Sequence, residues 1–164
     1  MHRHRFVKLA NTFPQDWVNV SFTKSEPCEI FGCDLKEHFT LLPRANFQDA
    51  WRNTLVFDSD GWGPSARFRA LMLSGSATVR SSVYREWFTS RAVPWVHYIP
   101  VSVGLEELRG VIEYFLGPGD AQARKIAKQG KTFAEMHMRK QDMTAYMFRL
   151  ALELNRVFNG DELD

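Results

Sequence analysis

This chain of 164 residues has few of the features that would assign it to a specialised class of protein. Its two cysteines, Cys28 and Cys33, are too few for a structural zinc site, and a short-loop disulfide and two free thiols both stay open. No run approaches the roughly 18 apolar residues of a membrane span. The basic first five residues lack the apolar core of a signal peptide. The formal net charge of +2 is too small to indicate a nucleic-acid-binding protein.

The composition indicates an ordinary globular domain. Hydrophobic residues make up 45% of the chain and charged residues 24%, which excludes a disordered or membrane-embedded class. A chain of this length forms one core rather than two. We therefore expect a single domain over residues 1–164, and its charge selects no partner.

The most informative stretch is residues 57–69, where a strand-like run breaks into glycines and restarts as a basic helix. Gly61 and Gly63 allow the backbone to approach a ligand closely, and Ser65 can cap the helix. Arg67 offers a planar fork for a phosphate, which also suits the positive N-terminus of a helix. The pattern predicts an anion-binding loop. The alternative is an ordinary strand-to-helix turn with a capping serine and solvated arginines.

Hydrophobic periodicity predicts alternating strands and helices. Alternation of this kind indicates an α/β fold, with a Rossmann-like, mostly parallel sheet covered by helices on both faces. Ligands bind beyond the carboxyl ends of such strands, which is where the loop after Phe57 lies. The apolar face of the last helix is expected to be core. Strands are predicted at Val18–Phe22, Leu55–Phe57, Ala77–Val79 and Pro94–Val101, and helices at 34–40, from Ser65 onward, at 104–116, at 120–137 and at 140–159.

Several separated motifs in this order resemble glycosyltransferase family 90, the capsule-associated and protein O-glucosyltransferase-like enzymes. The resemblance covers roughly residues 50–158 and is closest to fungal β-1,2-xylosyltransferase-like members. Thr54 and Leu55 stand where family members commonly have a Lys-Tyr pair, and Trp62 and Pro64 replace the usual Asn and aromatic residue. The segments that carry the resemblance are Phe57–Phe68, Leu73–Ser76, Tyr84–Phe88, Pro94–Val101 and Asp142–Leu150.

The resemblance implies the C-terminal, donor-binding half of a two-domain GT-B enzyme whose N-terminal acceptor domain is absent from this chain. By resemblance, the loop of Gly63, Ser65, Ala66 and Arg67 would hold the diphosphate of a UDP-sugar. The family uses a further upstream arginine, and Arg3 is its best counterpart, with Arg5 second. The alternative for these two arginines is a frayed basic terminus.

The family's catalytic base is expected in the N-terminal domain, so no catalytic residue is expected in this chain, which would be inactive alone. The resemblance implies transfer of xylose or glucose from UDP to a glycan or glycoprotein hydroxyl, without a metal or other cofactor. Full-length relatives are expected in the Golgi or endoplasmic reticulum lumen, with a membrane anchor. The competing hypothesis is a non-catalytic remnant or a nucleotide-binding interaction module. A basic nucleic-acid module is a third and weaker alternative.

Two further groups have structural and functional interpretations. Asp58 and Asp60 resemble a metal-binding Asp-x-Asp pair, but we favour carboxylates that accept hydrogen bonds and orient the loop. His97 lies in an apolar segment, and we expect a hydrogen-bonded structural role rather than a general base.

Overall fold

A computed structural model describes residues 2–14, 16–23 and 39–160 of the chain. Cys28, Cys33 and most of the short helix predicted at 34–40 lie outside these residues. Within the described part, no helix is long and apolar enough to cross a membrane.

A parallel sheet of three strands in the order β1-β2-β3 forms the centre of the fold, which confirms the predicted α/β class. The strands are β1 (Leu55–Ser59), β2 (Ala77–Ser81) and β3 (Ile99–Pro100). Leu55 pairs with Ala77 at one end of β1 and Ser59 pairs with Ser81 at the other. Every residue of β2 is buried, so both faces of the sheet are covered.

Helices surround the sheet and bury their apolar stripes against it. One core cluster includes Val79 and Ile99 of the sheet with Leu108, Phe115 and Ile126 of the helices. A second joins Phe68, Met72, Phe88 and Phe133. The helices are α1 (His2–Ala10), α2 (Phe68–Leu73), α3 (Leu108–Leu116), α4 (Asp120–His137) and α5 (Lys140–Asn159), with a 3-10 helix at Phe47–Arg52.

The N-terminal residues form a helix that the sequence did not predict. Phe6, Val7 and Ala10 of α1 are buried. The Phe6 ring stacks on Phe57 of β1, with the ring centroids 3.8 Å apart. This contact fixes α1 against the sheet, so Arg3 and Arg5 belong to a packed helix and not to a frayed terminus.

Two predicted strands are wrong or much shorter than expected. Residues 18–22 form no strand, and Phe22 makes only an isolated bridge to Leu41. Of Pro94–Val101 only Ile99–Pro100 is strand. Trp95 adopts a left-handed φ of 64°, and a turn follows it, so the chain cannot stay extended there.

The last helix has the predicted bounds but not the predicted burial. None of the residues of α5 is buried. Met147, Leu154, Val157 and Phe158 are all exposed, although they lie on the face expected to be core. The periodic apolar pattern therefore predicted the bounds of the helix correctly, but the prediction that its apolar face is buried was wrong.

The close packing of α4 makes a glycine substitution diagnostic. A Cβ at Gly130 would meet the carbonyl oxygen of His97 inside van der Waals contact, so Gly130→Ala forces α4 away from that backbone. We expect a loss of about 1–3 kcal/mol in the free energy of unfolding, measured by urea denaturation.

Gly110→Ala in α3 is the matched control, because a Cβ there meets nothing within 4 Å. Alanine is the better helix former, so this variant should gain up to about 1 kcal/mol. A Gly130→Ala protein as stable as Gly110→Ala would contradict the packing described.

Candidate functional site

A cavity of about 1080 Å³ opens beside the carboxyl end of β1. Its walls include residues of α1, the 3-10 helix, β1 and α3, and the rim carries the first residues of the loop after β1. Arg3, Ser59, Gly61, Trp62 and Arg67 all line it. The cavity runs along β1, and its part around Ser59, Gly61 and Trp62 lies where the sequence analysis expected a ligand, beyond the end of a parallel strand.

Two guanidinium groups converge at this strand end. Arg3 Nε donates to the carbonyl oxygen of Asp60 at 3.1 Å. Arg67 Nη2 donates to the carbonyl oxygen of Ser59 at 3.3 Å. Burial lowers the pKa of Arg67, and the positive charge of Arg3 adds to that lowering, while Asp58 opposes it. The two cations are therefore close enough to repel one another, and an anion between them would relieve that repulsion.

A buried carboxylate supports the second guanidinium. Asp58 has no exposed surface. Its Oδ1 accepts a hydrogen bond from the Ser65 hydroxyl and lies 3.6 Å from Arg67 Nη2. Its other oxygen, Oδ2, is buried without a hydrogen-bond partner in the described part of the chain. Burial raises the pKa of Asp58, against the opposing effects of the Ser65 hydrogen bond and the positive charges of Arg67 and Arg80.

The second carboxylate of the loop fastens β1 to the segment after β2. The Asp60 carboxylate accepts hydrogen bonds from the Ser82 hydroxyl and from the backbone N–H of Val83, both at 2.8 Å. The loop then closes on itself through a 3.0 Å hydrogen bond from the Gly61 amide to the Gly63 carbonyl. These contacts confirm the predicted loop-orienting role of Asp60.

The predicted donor residues are distributed unevenly around the cavity. Arg3 and Arg67 line it, whereas Gly63, Ser65 and Ala66 are not among the described residues that do. Ser65 lies beneath the loop, where its hydroxyl is bonded to Asp58. Arg5 lies elsewhere, with Nη1 donating to the Val103 carbonyl at 3.3 Å.

The predicted cap at Ser65 needs correction. Helix α2 begins at Phe68, and Arg67 holds the cap position without a side-chain hydrogen bond. The Ser65 hydroxyl accepts only a long 3.4 Å contact from the Arg67 amide. Because α2 has only six residues, its dipole is a weaker source of positive potential than the two guanidinium groups.

The other candidate groups have structural contacts. His97 Nδ1 accepts the Val93 amide at 2.9 Å, and its ring stacks on Phe133 with centroids 4.5 Å apart, which confirms the structural role expected for it. Burial lowers the pKa of His97, and the nearby His137 adds to the lowering. Over the described ranges, no three His, Cys, Asp or Glu side chains are grouped to hold a metal ion.

The sequence analysis missed the part that Asp58 plays in holding Arg67. Asp58 pairs in register with Arg80 of β2, and Arg80 lies 4.0 Å over the Phe68 ring with its Nη2 on Glu86. The available signal was an Asp within a buried strand, because a carboxylate is rarely buried without a partner.

Comparisons with known proteins agree on one family. The model of the family described as glycosyl transferase family 90 matches residues 1–159. The chain is 33% identical over 102 residues to Protein O-glucosyltransferase 1 of Rattus norvegicus, covering 62% of the chain and 26% of that protein. It is 30% identical over 151 residues to Protein O-glucosyltransferase 2 of Danio rerio, a match that covers 90% of the chain and 29% of that protein.

A third relative is the O-glucosyltransferase rumi homolog of Anopheles gambiae, 34% identical over 155 residues, which are 90% of the chain and 37% of that protein. The chain thus spans about a quarter to just over a third of the length of these relatives. All three are named O-glucosyltransferases. The expected likeness to xylosyltransferase-like members is therefore corrected to a likeness to O-glucosyltransferases.

The raised pKa of Asp58 predicts a specific pH dependence of stability. Because the folded-state pKa lies above the unfolded value, the folded protein binds more protons between the two values, and stability falls as pH rises through that interval. The wild type should therefore lose stability relative to Asp58→Asn as pH rises above the unfolded-state pKa of about 4. Urea denaturation at a series of pH values measures the difference.

Asp142→Asn is the control of opposite sign. Hydrogen bonds from Arg139 lower the pKa of Asp142 to about 2, so its contribution is present above the unfolded pKa and is lost on acidification. If the difference between wild type and Asp58→Asn rose with pH, as it should for Asp142→Asn, the account of Asp58 would be wrong.

Proposed function

The chain belongs to glycosyl transferase family 90, and we propose on this basis that residues 1–164 form the donor-binding domain of a GT-B-type glycosyltransferase. In this proposal the domain binds a UDP-sugar in the cavity at the end of β1, and the sugar passes to a hydroxyl group of a protein or glycan. The match to only part of each relative supports a domain that acts together with another.

The observation that carries the proposal is the pair of guanidinium groups held on successive carbonyls. Arg3 and Arg67 bind the carbonyls of Asp60 and Ser59, so their charges are fixed at one wall of the cavity. Each has further N–H groups for a ligand, because a guanidinium carries five. A diphosphate matches this arrangement in charge and in hydrogen bonding, since arginine forks pair well with phosphate oxygens.

The same arrangement supports a role in the transfer step. When the bond between the sugar and UDP breaks, negative charge develops on the departing diphosphate, and fixed cations stabilise it. The acceptor hydroxyl must also lose a proton to a base. Asp58 and Asp60 are buried and hydrogen-bonded to the protein, so neither is placed to receive it. We therefore propose that the base comes from another part of the enzyme.

For the sugar we propose glucose rather than xylose, and for the acceptor a protein hydroxyl. Both choices rest on the names of the relatives, which are called protein O-glucosyltransferases. The endoplasmic reticulum or Golgi lumen remains the proposed location of the full-length protein, as the family resemblance implies.

Calorimetric titration with UDP tests the cavity. The folded chain should bind UDP, and Arg67→Ala and Arg3→Ala should each weaken binding by about tenfold or more, because each removes a charged hydrogen-bonding group. Arg5→Ala is the matched control, since Arg5 lies on the same helix but donates to Val103 and does not line the cavity. It should bind UDP as the wild type does.

The affinity for UDP should be equal with manganese and with a chelator, because the proposed contacts are all made by protein cations. Circular dichroism of each variant verifies folding. A folded wild type that binds no UDP would reject a self-sufficient donor site and favour the non-catalytic alternative. An equal loss of UDP affinity in Arg5→Ala and Arg3→Ala would show that the weakened binding is not specific to residues that line the cavity.

Competition between donors tests the sugar. UDP-glucose carries a hydroxymethyl group that UDP-xylose lacks, and a site that binds this group should prefer UDP-glucose by about tenfold. Displacement of UDP by each donor, followed by calorimetry, gives the ratio. A preference for UDP-xylose would contradict the proposal of glucose and favour xylose as the transferred sugar.

A further inference from the structure

A second groove lies along α4, apart from the cavity beside β1. Its walls come from α4 and from the turn that precedes β3, including His97. The cavity runs along β1 and the loop that follows it, whereas the groove lies on α4 and the turn before β3, and the two share no lining residue among the described residues. The proposed sugar donor therefore does not account for this groove.

Positive charge lines the groove. Lys125 and Lys128 lie on α4, and Arg91 contributes from the turn before β3. Of the described residues, none that lines the groove carries a carboxylate, and none of these three cations takes part in a salt bridge. Asp142 lies near enough to Arg91 to feel its charge, but its carboxylate is already bound by Arg139.

The floor of the groove is apolar and aromatic. His97 stacks on Phe133, and His137 lies 5.4 Å from the same ring. Because Nδ1 of His97 accepts the Val93 amide, the proton of the neutral ring is on Nε2, which is then a donor. Met136 adds an exposed apolar side chain. The surface thus combines cations with a place for an apolar side chain.

The groove extends well beyond its two lysines, Lys125 and Lys128, which lie about one turn apart on α4. Lys125 and Met136 are separated by about 16 Å at 1.5 Å per helical residue. An extended peptide covers that length with about five residues. A single small anion could contact only one end of such a groove, whereas an extended chain could contact both.

From this combination we propose that the groove along α4 binds a short acidic peptide segment of a protein partner. Carboxylates of the peptide pair with Lys125, Lys128 and Arg91, and an apolar side chain of the peptide packs on Phe133 and Met136 further along the groove. Such binding is electrostatically steered and weakens as salt screens the charges.

Fluorescence anisotropy tests the proposal with a labelled hexapeptide in which one leucine is flanked by glutamates. The full chain should bind it, and Lys125→Glu/Lys128→Glu should weaken binding by about tenfold, because two attractions become repulsions. Lys131→Glu/Lys140→Glu has the same net charge but changes residues outside the groove, and it should retain the wild-type affinity. Met136→Ser should weaken binding of the leucine-containing peptide but leave binding of an all-glutamate peptide unchanged.

Three results would overturn the proposal. The first is an equal loss of peptide affinity in the two charge-reversed double variants, which would indicate general attraction of an acidic peptide to a basic protein. The second is displacement by pyrophosphate at the same concentration as the unlabelled peptide, which would indicate a small-anion site. The third is tighter binding of a single-stranded oligonucleotide than of the peptide. Arg67→Ala should keep full peptide binding, so failure of the donor site and failure of this groove are distinguishable.

Discussion

The buried carboxylate of Asp58 is the constraint on which the candidate site depends. It lies at the end of the first strand, where it holds the Ser65 hydroxyl under the loop and a guanidinium above it. A charge without exposed surface is tolerated in a protein when it has charged and hydrogen-bonding partners. The position of Arg67 and the path of the loop are therefore determined together.

The fold could be predicted from the sequence where the local signal and the tertiary contacts agree. Helix α4 and the start of β1 have the expected bounds, since their apolar periodicity matches the burial that the structure provides. The segment before β3 could not be predicted, because its aromatic and β-branched residues favour a strand while Trp95 takes a left-handed turn. Helix α1 was missed because a basic segment of nine residues has little helical signal without its contact to Phe57.

The site was only partly predictable for a similar reason. The loop pattern drew attention to Arg67, which lines the cavity, and fold logic placed the expected ligand beyond β1, but the choice between Arg3 and Arg5 required knowledge of a helix. Two residues apart on a helix, their side chains point in directions about 160° apart. Only the docking of α1 determines which of them meets the cavity. The exposed face of α5 shows the converse case, because periodicity indicates an apolar face without indicating what covers it.

The sequence distances within the site have a consequence for the order in which it assembles. Ser65 is seven residues from Asp58, and Arg67 eight from Ser59, so half of the dicationic wall is made by one short loop. Arg3 is 57 residues from its carbonyl partner. Closing the longer loop costs more chain entropy, and contacts distant in sequence form more slowly. The strand, loop and α2 can therefore condense first, with one guanidinium in place. The second charge reaches the site only when the N-terminal helix docks, so the two arginines repel one another only once that helix is in place.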